Sequence, residues 1–331
     1  MAALAYNSAM AFLITETFGY PTSDQSSAAT EQRSSQTCPF VHKECWKKFK
    51  AGGRISGVCA VKPQSSDEVI VCPDRLYAEQ FLILREVVSA TFGPDMNLIG
   101  PSDVSTSHGE PNRVVAFGKR WGKEIRIPKH VIEGYPRKKG SFSSADWILA
   151  HIDNLGNVIE FVPVEVQSMD TTGSYQSLWY ELYGLDLPDG CKSTAPNINW
   201  ENVNKRIIPQ LLTKGNVFRR EPLCQKGMFF VCPSPVYKKL IERLGAKLSE
   251  FPMQSGALTF RYYDLAQSSE PGQFRSLISQ GQFTTTIENL KEAFNSTLNL
   301  PEMGIVAERL QSALRLAAHV NATAQGAAVG G

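Results

Sequence analysis

Two acidic residues, Asp146 and Glu165, stand on either side of a segment typical of a β-hairpin loop, residues 153–157 with the sequence DNLGN. If the loop has an even length centred between Leu155 and Gly156, residues equally far from that centre pair across the hairpin, and Asp146 lies opposite Glu165. Directly opposed residues of an antiparallel pair have β-carbons about 4.5 to 5.5 Å apart. Two carboxylates so placed repel each other, and a divalent cation offsets the repulsion. The spacing therefore indicates a metal site.

The strand that carries Glu165 has one polar and one apolar face. Because side chains alternate along a strand, Gln167 shares the face of Glu165, while Val164 and Val166 point into a core. An alternative interpretation is that both acids are ordinary exposed residues of a hairpin. An odd loop, or a bulge at Pro163, would slip the register and separate them.

Positive charge is concentrated in the first half of a chain that is nearly neutral as a whole, with 34 Lys and Arg against 32 Asp and Glu. Residues 112–140 hold nine Lys and Arg against two Glu, and residues 38–54 hold five against one. A basic face of this kind can follow a phosphate backbone, although a solvated lysine-rich surface is the alternative. A metal beside a bound phosphodiester is the arrangement for hydrolytic strand scission, because the metal activates water and offsets charge on phosphorus.

Four of the seven cysteines lie within a short stretch, which favours a metal site over four buried structural thiols. They are Cys38, Cys45, Cys59 and Cys72. Four sulfur ligands suit zinc and iron equally well, and the spacing is not that of paired C-x-x-C zinc knuckles. The other cysteines, which are scattered, are interpreted as core or surface residues: Cys191, Cys224 and Cys232.

The elements that must position these residues are short strands followed by mixed helices and strands. Alternation predicts strands at 113–117, 124–127, 146–152, 158–167, 228–232 and 258–265. Helical periodicity predicts helices at 76–92, 173–185, 200–213, 235–246, 284–298 and 301–319. The pattern is that of a mixed α/β (α+β) protein.

The domain organisation predicted from the sequence has four parts: an N-terminal helix and polar linker at 1–36, a four-cysteine module at 37–75, a main domain at 76–320 and a disordered tail at 321–331. The apolar N-terminus lacks the basic region of a secretory signal, and no run of about 18 apolar residues is present, so we expect a cytoplasmic protein without a membrane span.

The combination of motifs resembles the type II restriction endonucleases of the NotI family. The matching residues are TCPF at 37–40, Cys45, GVC at 57–59, VCPDR at 71–75, the pair Asp146-Trp147, and VEVQSMDTTGSY at 164–175. Weaker matches continue through APNINWENVNKR at 195–206, so that the resemblance covers most of the chain from about 36 to 290.

The resemblance implies a PD-(D/E)XK nuclease core with a small four-cysteine iron module beside it; zinc remains the chemical alternative. By position, Asp146 and Glu165 would bind Mg²⁺, and Glu124 would be a third acidic residue that supports a second ion. Gln167 takes the place of the superfamily's usual lysine, which is a departure from the pattern. A neutral carboxamide can orient water but supplies no positive charge.

These implications lead us to expect a bacterial homodimer that cleaves duplex DNA at a palindromic, GC-rich site, since two-fold protein symmetry matches two-fold site symmetry. Two alternatives remain. One is a metal-stabilised protein that binds specific DNA sequences without cleaving them, and the other is a nuclease for structured or modified DNA.

Overall fold

The computed structural model describes residues 12–50, 52–64, 66–105, 107, 109–120, 124–128, 142–172, 174–191, 196–296 and 302–315. The chain divides into two compact units, Met1–Phe294 and Asn295–Gly331. The predicted tail at 321–331 and the first residues of the predicted N-terminal helix lie outside the described residues.

Strands account for most of the regular structure of the first unit. In chain order they are β1 Phe12–Thr17, β2 Tyr20–Pro21, β3 Thr37–Cys38, β4 Lys43–Glu44, β5 Val58–Pro63, β6 Val69–Ile70, β7 Asn97–Ile99, β8 Arg113–Gly118, β9 Arg126–Pro128, β10 Phe142–Ser144, β11 Trp147–Ile152, β12 Val158–Val166, β13 Thr171–Thr172, β14 Asn197–Ile198, β15 Met228–Pro233, β16 Ala257–Leu265 and β17 Leu277–Thr286.

The α-helices are α1 Ser27–Ser35, α2 Ala78–Phe92, α3 Gln176–Leu182, α4 Ile208–Phe218, α5 Ser234–Leu244 and α6 Ile287–Asn295. Short 3-10 turns occupy Pro73–Tyr77, Pro101–Asp103 and Gly245–Lys247, and a π-helical turn at Val203–Ile207 leads directly into α4. The mixed α/β architecture predicted from the sequence is therefore confirmed.

A seven-stranded mixed sheet with the order β17-β16-β15-β12-β11-β8-β7 forms the centre of this unit. The β11–β12 hairpin lies in the middle of the sheet, where β11 also pairs antiparallel with β8 and β12 pairs parallel with β15. A second sheet, antiparallel throughout, has the order β2-β1-β5-β6 and carries Cys59 on β5. The hairpin predicted to hold the acidic pair therefore has a paired strand on each side.

Apolar clusters cover both faces of the large sheet. On one face, Ile83 and Val87 of α2 pack with Val164 and Val166 of β12. On the other face, side chains of α4, α5 and α6 pack with Phe230 of β15. Each fully buried aliphatic side chain contributes about 1.5 to 3 kcal/mol. Val164 and Val166 therefore point into a core, as their alternation with Glu165 predicts.

The structure corrects the predictions for the first 36 residues. Residues 12–14, assigned to the N-terminal helix, belong to strand β1, because the buried side chains of Phe12 and Ile14 alternate and the strand pairs with β5. The polar segment predicted as a linker contains α1, which begins where Ser26 Oγ accepts a hydrogen bond from the backbone N–H of Ala29. Local capping chemistry thus formed a helix without a strong apolar face.

The predicted helix at 284–298 also begins later than its pattern suggested, at Ile287. The residues before it form β17, an edge strand with the sequence LISQGQFTTT that was not predicted. An edge strand has fewer neighbours to bury it, so its polar side chains did not show the usual apolar alternation.

In the second unit, residues 305–315 are helical and leave Val306, Leu310 and Leu314 exposed. Within the part of the chain that the structure describes, no helix is both long enough and apolar enough to cross a membrane.

Candidate active site

The register of the β11–β12 hairpin brings its two acidic residues together. Trp147 pairs with Val164, and the pairing continues without a shift to His151 opposite Glu160. The next position outward places Asp146 beside Glu165. The loop is not the symmetrical one assumed from the sequence: a bulge between His151 and Ile152 accompanies it. The irregular loop and the bulge offset each other, so the register beyond them is the one predicted.

The loop is closed by one side chain. Asp153 Oδ1 accepts hydrogen bonds from the backbone N–H groups of Leu155 at 2.9 Å and Asn157 at 2.8 Å. An aspartate that caps its own turn in this way fixes the loop conformation locally. The hairpin therefore holds its register independently of the acidic pair at its far end.

Trp147, the residue directly after Asp146, anchors the start of β11. The indole is 1% exposed, and its Nε1 donates a hydrogen bond to the Tyr77 hydroxyl at 3.2 Å. The facing residue must be Gly118, because a Cβ there would lie 2.3 Å from the indole ring. Asp146 itself accepts a hydrogen bond from the backbone N–H of Val166 through Oδ2 at 2.9 Å. The carboxylate is thus tied to the strand that carries its partner.

Ionisation is disfavoured at both carboxylates of the pair. Burial, followed by the charge of Asp146, raises the pKa of Glu165 to about 7. Burial also raises the pKa of Asp146, and Glu124 adds to the increase. The solvent-accessible surface of the whole Asp146 residue is large, but enough protein surrounds its carboxylate to desolvate it. A pair in this environment favours a bound cation.

The oxygens of Glu165 have separate environments. Oε2 lies 2.6 Å from Nζ of Lys214, whereas Oε1 is buried and accepts no hydrogen bond of normal geometry among the described residues. The backbone N–H of Asp146 is close enough to this carboxylate to lower the pKa of Glu165. A buried acceptor without a partner is costly, which makes Oε1 an available ligand atom.

The other two predicted site residues lie close to this pair. Gln167 lines the same cavity as Glu165, and its Nε2 donates to the carbonyl of Ser168 at 2.7 Å. Glu124 precedes β9 and accepts a hydrogen bond from Ser144 Oγ at 2.8 Å. It is near enough to Asp146 to affect its pKa. The structure thus brings Asp146, Glu165, Gln167 and Glu124 into one region.

Lys214 was missed in the sequence because the predicted helix ended at residue 213, whereas α4 continues to Phe218. The side chain is 19% exposed and contacts Glu165 across the face of the sheet. A signal was present: Lys214 follows Leu211 by three residues and precedes Phe218 by four, so it adjoins the buried stripe of the helix. A lysine in that position needs an anionic partner.

The four cysteines of the predicted module are buried and form no disulfide. Burial raises the pKa of Cys38 to about 11 and that of Cys72 to about 12. The charge of neighbouring thiols also raises these pKa values. Cys45 raises the pKa of Cys38, and both residues raise that of Cys72. Cys72 and Cys38 raise the pKa of Cys59. The four sulfur atoms therefore share one neighbourhood.

Backbone N–H groups counteract the effect of burial at two of these thiols. Hydrogen bonding from Phe40 and Val41 lowers the pKa of Cys38, and hydrogen bonding from Lys47 and Gly57 lowers that of Cys45, although burial is the larger effect in both. Such donors favour the thiolate form, which is the form that binds a metal.

Neither predicted metal site is assembled as a cluster of protein ligands. Within the described ranges, no group of three or more His, Cys, Asp and Glu side chains is arranged to hold a metal. The iron or zinc cage is thus not supported by the thiol geometry. At the acidic site, the pair of Asp146 and Glu165 remains, which suits Mg²⁺, an ion commonly held by one or two carboxylates with water and phosphate.

The positive residues of the basic stretch that the structure describes do not share one surface. Arg113 is buried and donates to the carbonyls of Ser107 and Asp153, so its role is structural. Arg120 pairs with the buried Asp74 at 2.9 Å, and Lys119 is exposed. Five of the nine positive residues lie outside the described residues: Lys123, Lys129, Arg137, Lys138 and Lys139.

Comparison with known proteins gave one family match. The sequence profile described as "Restriction endonuclease NotI" matches residues 23–275, which is more than half of the chain and includes the hairpin, α4 and all four cysteines of the predicted module. A search of curated proteins found no match.

Proposed function

The chain belongs to the family of the restriction endonuclease NotI and is therefore a site-specific deoxyribonuclease, and we propose that it hydrolyses DNA with Mg²⁺ held by Asp146 and Glu165. The observation that supports this proposal is the hairpin register, which places the two carboxylates side by side in a desolvated site. The free Oε1 of Glu165 supplies a ligand atom in that site.

In the proposed reaction, the oxygen of a water molecule forms a bond to phosphorus while one P–O ester bond breaks. The proton of the water is transferred through solvent to the leaving alkoxide, so that the products are a phosphomonoester and a hydroxyl. A bound Mg²⁺ would activate the water and offset negative charge on the phosphate. Gln167 would orient the water by hydrogen bonding, and Glu124 would support a second ion.

We further propose that the enzyme is a homodimer that reads a palindromic, GC-rich site in the bacterial cytoplasm. The support is the family membership together with the geometric rule that a two-fold dimer matches a two-fold DNA site. Exposed basic residues of the region around α4 are candidates for contacts with guanine: Lys205, Arg206, Arg219 and Arg220.

Incubation of the pure protein and Mg²⁺ with phage DNA tests the main proposal. We expect discrete bands, and we expect none when EDTA replaces Mg²⁺. Sequencing of the fragment ends then gives the recognition site and the position of the cut. Intact DNA at every protein concentration would favour a DNA-binding protein without catalysis, and a smear would favour a nuclease for structured or modified DNA.

For the cysteines, we propose a structural iron, with zinc as the chemical alternative, bound by Cys38, Cys45, Cys59 and Cys72. Support comes from the burial of all four thiols, their shared neighbourhood and the backbone donors at Cys38 and Cys45. Metal analysis of protein purified without chelators tests this: about one iron or zinc per chain is expected, and a metal-free folded protein would refute it.

A further inference from the structure

The contact between Lys214 and Glu165 points to a further residue of the cleavage site. We propose that Lys214 supplies the positive charge that Gln167 cannot supply, and that its ammonium group stabilises negative charge on the phosphate during cleavage. This inference rests on the proposed Mg²⁺-dependent nuclease function of Asp146 and Glu165.

The end of the strand that carries Glu165 supplies no positive charge. Gln167 lies two residues after Glu165 on the same face, but its neutral side chain cannot offset the charge that accumulates on phosphorus. The carboxamide is also engaged with the carbonyl of Ser168. A cation at this site must therefore come from another element.

Helix α4 places a cation there. Lys214 Nζ lies 2.6 Å from Glu165 Oε2, and both residues line the same cavity with Gln167. Lys214 also lowers the pKa of Asp146 more than Arg120 does. Arg120 is paired with Asp74. Among the described residues, Lys214 is thus the cation in contact with the acidic pair.

Burial distinguishes this ion pair from another of equal length. Lys238 and Asp67 also lie 2.6 Å apart, but their side chains are 61% and 70% exposed, against 19% and 12% for Lys214 and Glu165. An exposed pair is screened by water, whereas a desolvated pair exerts a strong field on any third charge that enters the site. A phosphate beside Glu165 would experience that field.

Close packing holds helix α4 in place. Gly215 allows α4 to approach Ile287 of α6 closely, since a Cβ at residue 215 would lie 2.1 Å from Ile287 Cδ1. Leu211 and Phe218 are buried on the same helix. Because α4 is held on both sides of Lys214, the ammonium group is positioned before DNA binds, as electrostatic stabilisation of a transition state requires.

The experiment is single-turnover cleavage with saturating Mg²⁺ and cognate DNA. We expect Lys214→Gln to slow cleavage by about 100-fold or more, with DNA affinity measured in Ca²⁺ within threefold of the parent. Lys238→Gln, which removes the exposed ion pair of the same length, should cleave within twofold of the parent. The double variant Gln167→Lys with Lys214→Gln should recover at least tenfold, because it returns a cation to the site from the strand.

Several outcomes would overturn the inference. Cleavage by Lys214→Gln within threefold of the parent at saturating Mg²⁺ would do so, even where a defect remains at lower Mg²⁺, because a purely structural counter-ion can be replaced by the metal. If Lys214→Gln does not bind DNA, the cleavage rate of the folded double variant is measured in its place. A double variant that cleaves as slowly as Asp146→Ala refutes the proposed role of Lys214. Should Asp146→Ala and Glu165→Ala also cleave normally, the proposed function itself fails, which is a separate result.

Discussion

The guanidinium of Arg120 lies 2.9 Å from the carboxylate of Asp74, and this contact joins the region of the candidate active site to the cysteine segment. Asp74 follows Cys72 by two residues, and its other oxygen accepts a hydrogen bond from the indole of Trp46, the neighbour of Cys45. Arg120 also lowers the pKa of Asp146. The buried carboxylate of Asp74 therefore links the segment that carries Cys45 and Cys72 to a cation that lies near Asp146.

We predict that Arg120→Gln lowers the free energy of unfolding by about 1 to 3 kcal/mol, because it leaves the buried Asp74 carboxylate without its counter-ion. Urea denaturation measures the change. Lys119→Gln, a substitution at the exposed neighbouring residue, is the control and should change stability by less than about 0.5 kcal/mol. Equal stabilities of the two variants would show that the Arg120–Asp74 contact contributes little.

We predict that Asp146→Ala or Glu165→Ala abolishes cleavage while DNA affinity stays within about tenfold, because a bound metal mainly stabilises the transition state. Cleavage is followed on gels and affinity by fluorescence anisotropy in Ca²⁺. Glu160→Gln, on the same hairpin but at its loop end, should cleave like the parent. Retained cutting by either alanine variant would remove these residues from the active site.

We predict that Cys59→Ser reduces soluble yield and bound metal together, since loss of one ligand from a structural metal site removes stabilisation of the fold. Cys232→Ser is the matched control, because Cys232 is equally buried but lies in the core of the large sheet. It should retain the metal content of the parent. A soluble, metal-free and fully active Cys59→Ser protein would refute a structural metal.

We predict that the metal-free protein loses stability as pH rises from about 4.5 to about 7. Glu165 has a raised pKa in the folded state, so the folded protein binds the proton of this carboxyl more tightly than the unfolded chain does. The stability gained from that proton is lost as the carboxyl ionises. The loss is at most about 3 kcal/mol. Thermal unfolding in EDTA at several pH values measures it, and Glu165→Gln should flatten the dependence. An unchanged slope in that variant would show that another group titrates.

We predict that Glu16→Gln destabilises the fold by about 3 to 5 kcal/mol. Glu16 is fully buried and pairs with both Arg75 and Arg275, so its loss leaves two buried guanidinium groups short of one negative charge. Glu44→Gln is the control, because Glu44 pairs with Lys48 on the surface. Similar urea midpoints for the two variants would contradict the prediction.

The hairpin could be predicted from the sequence because its information is local. Turn residues at 153–157 and the alternation of Val164, Glu165 and Val166 specify which side chains share a face, and the structure has that pairing between Trp147 and Val164. The bulge at Ile152 could not be predicted, but the irregular loop offset it. The predicted loop was thus wrong, but the predicted register of the acidic pair was correct.

Lys214 could not be predicted in the same way because its contact with Glu165 depends on tertiary packing. The two residues are 49 positions apart in the sequence. They meet only because of the way in which the elements pack, including the pairing of β12 with β15. The strand β1 was missed for a similar reason, since its partner β5 lies far along the chain and its sequence resembles an apolar helix. Sequence patterns describe local periodicity, whereas these positions depend on which distant elements meet.

The bulge near the hairpin loop also limits which insertions and deletions the loop can accept. Because β12 is also held by its pairing with β15 and by the burial of Val164 and Val166, the loop and its bulge must take up any single residue inserted or deleted between Asp153 and Asn157; otherwise Glu165 would exchange places with a valine. Pairs of codons lengthen the turn without that inversion. An epitope tag or fluorophore handle placed at exposed Leu155 should therefore be built with an even number of residues.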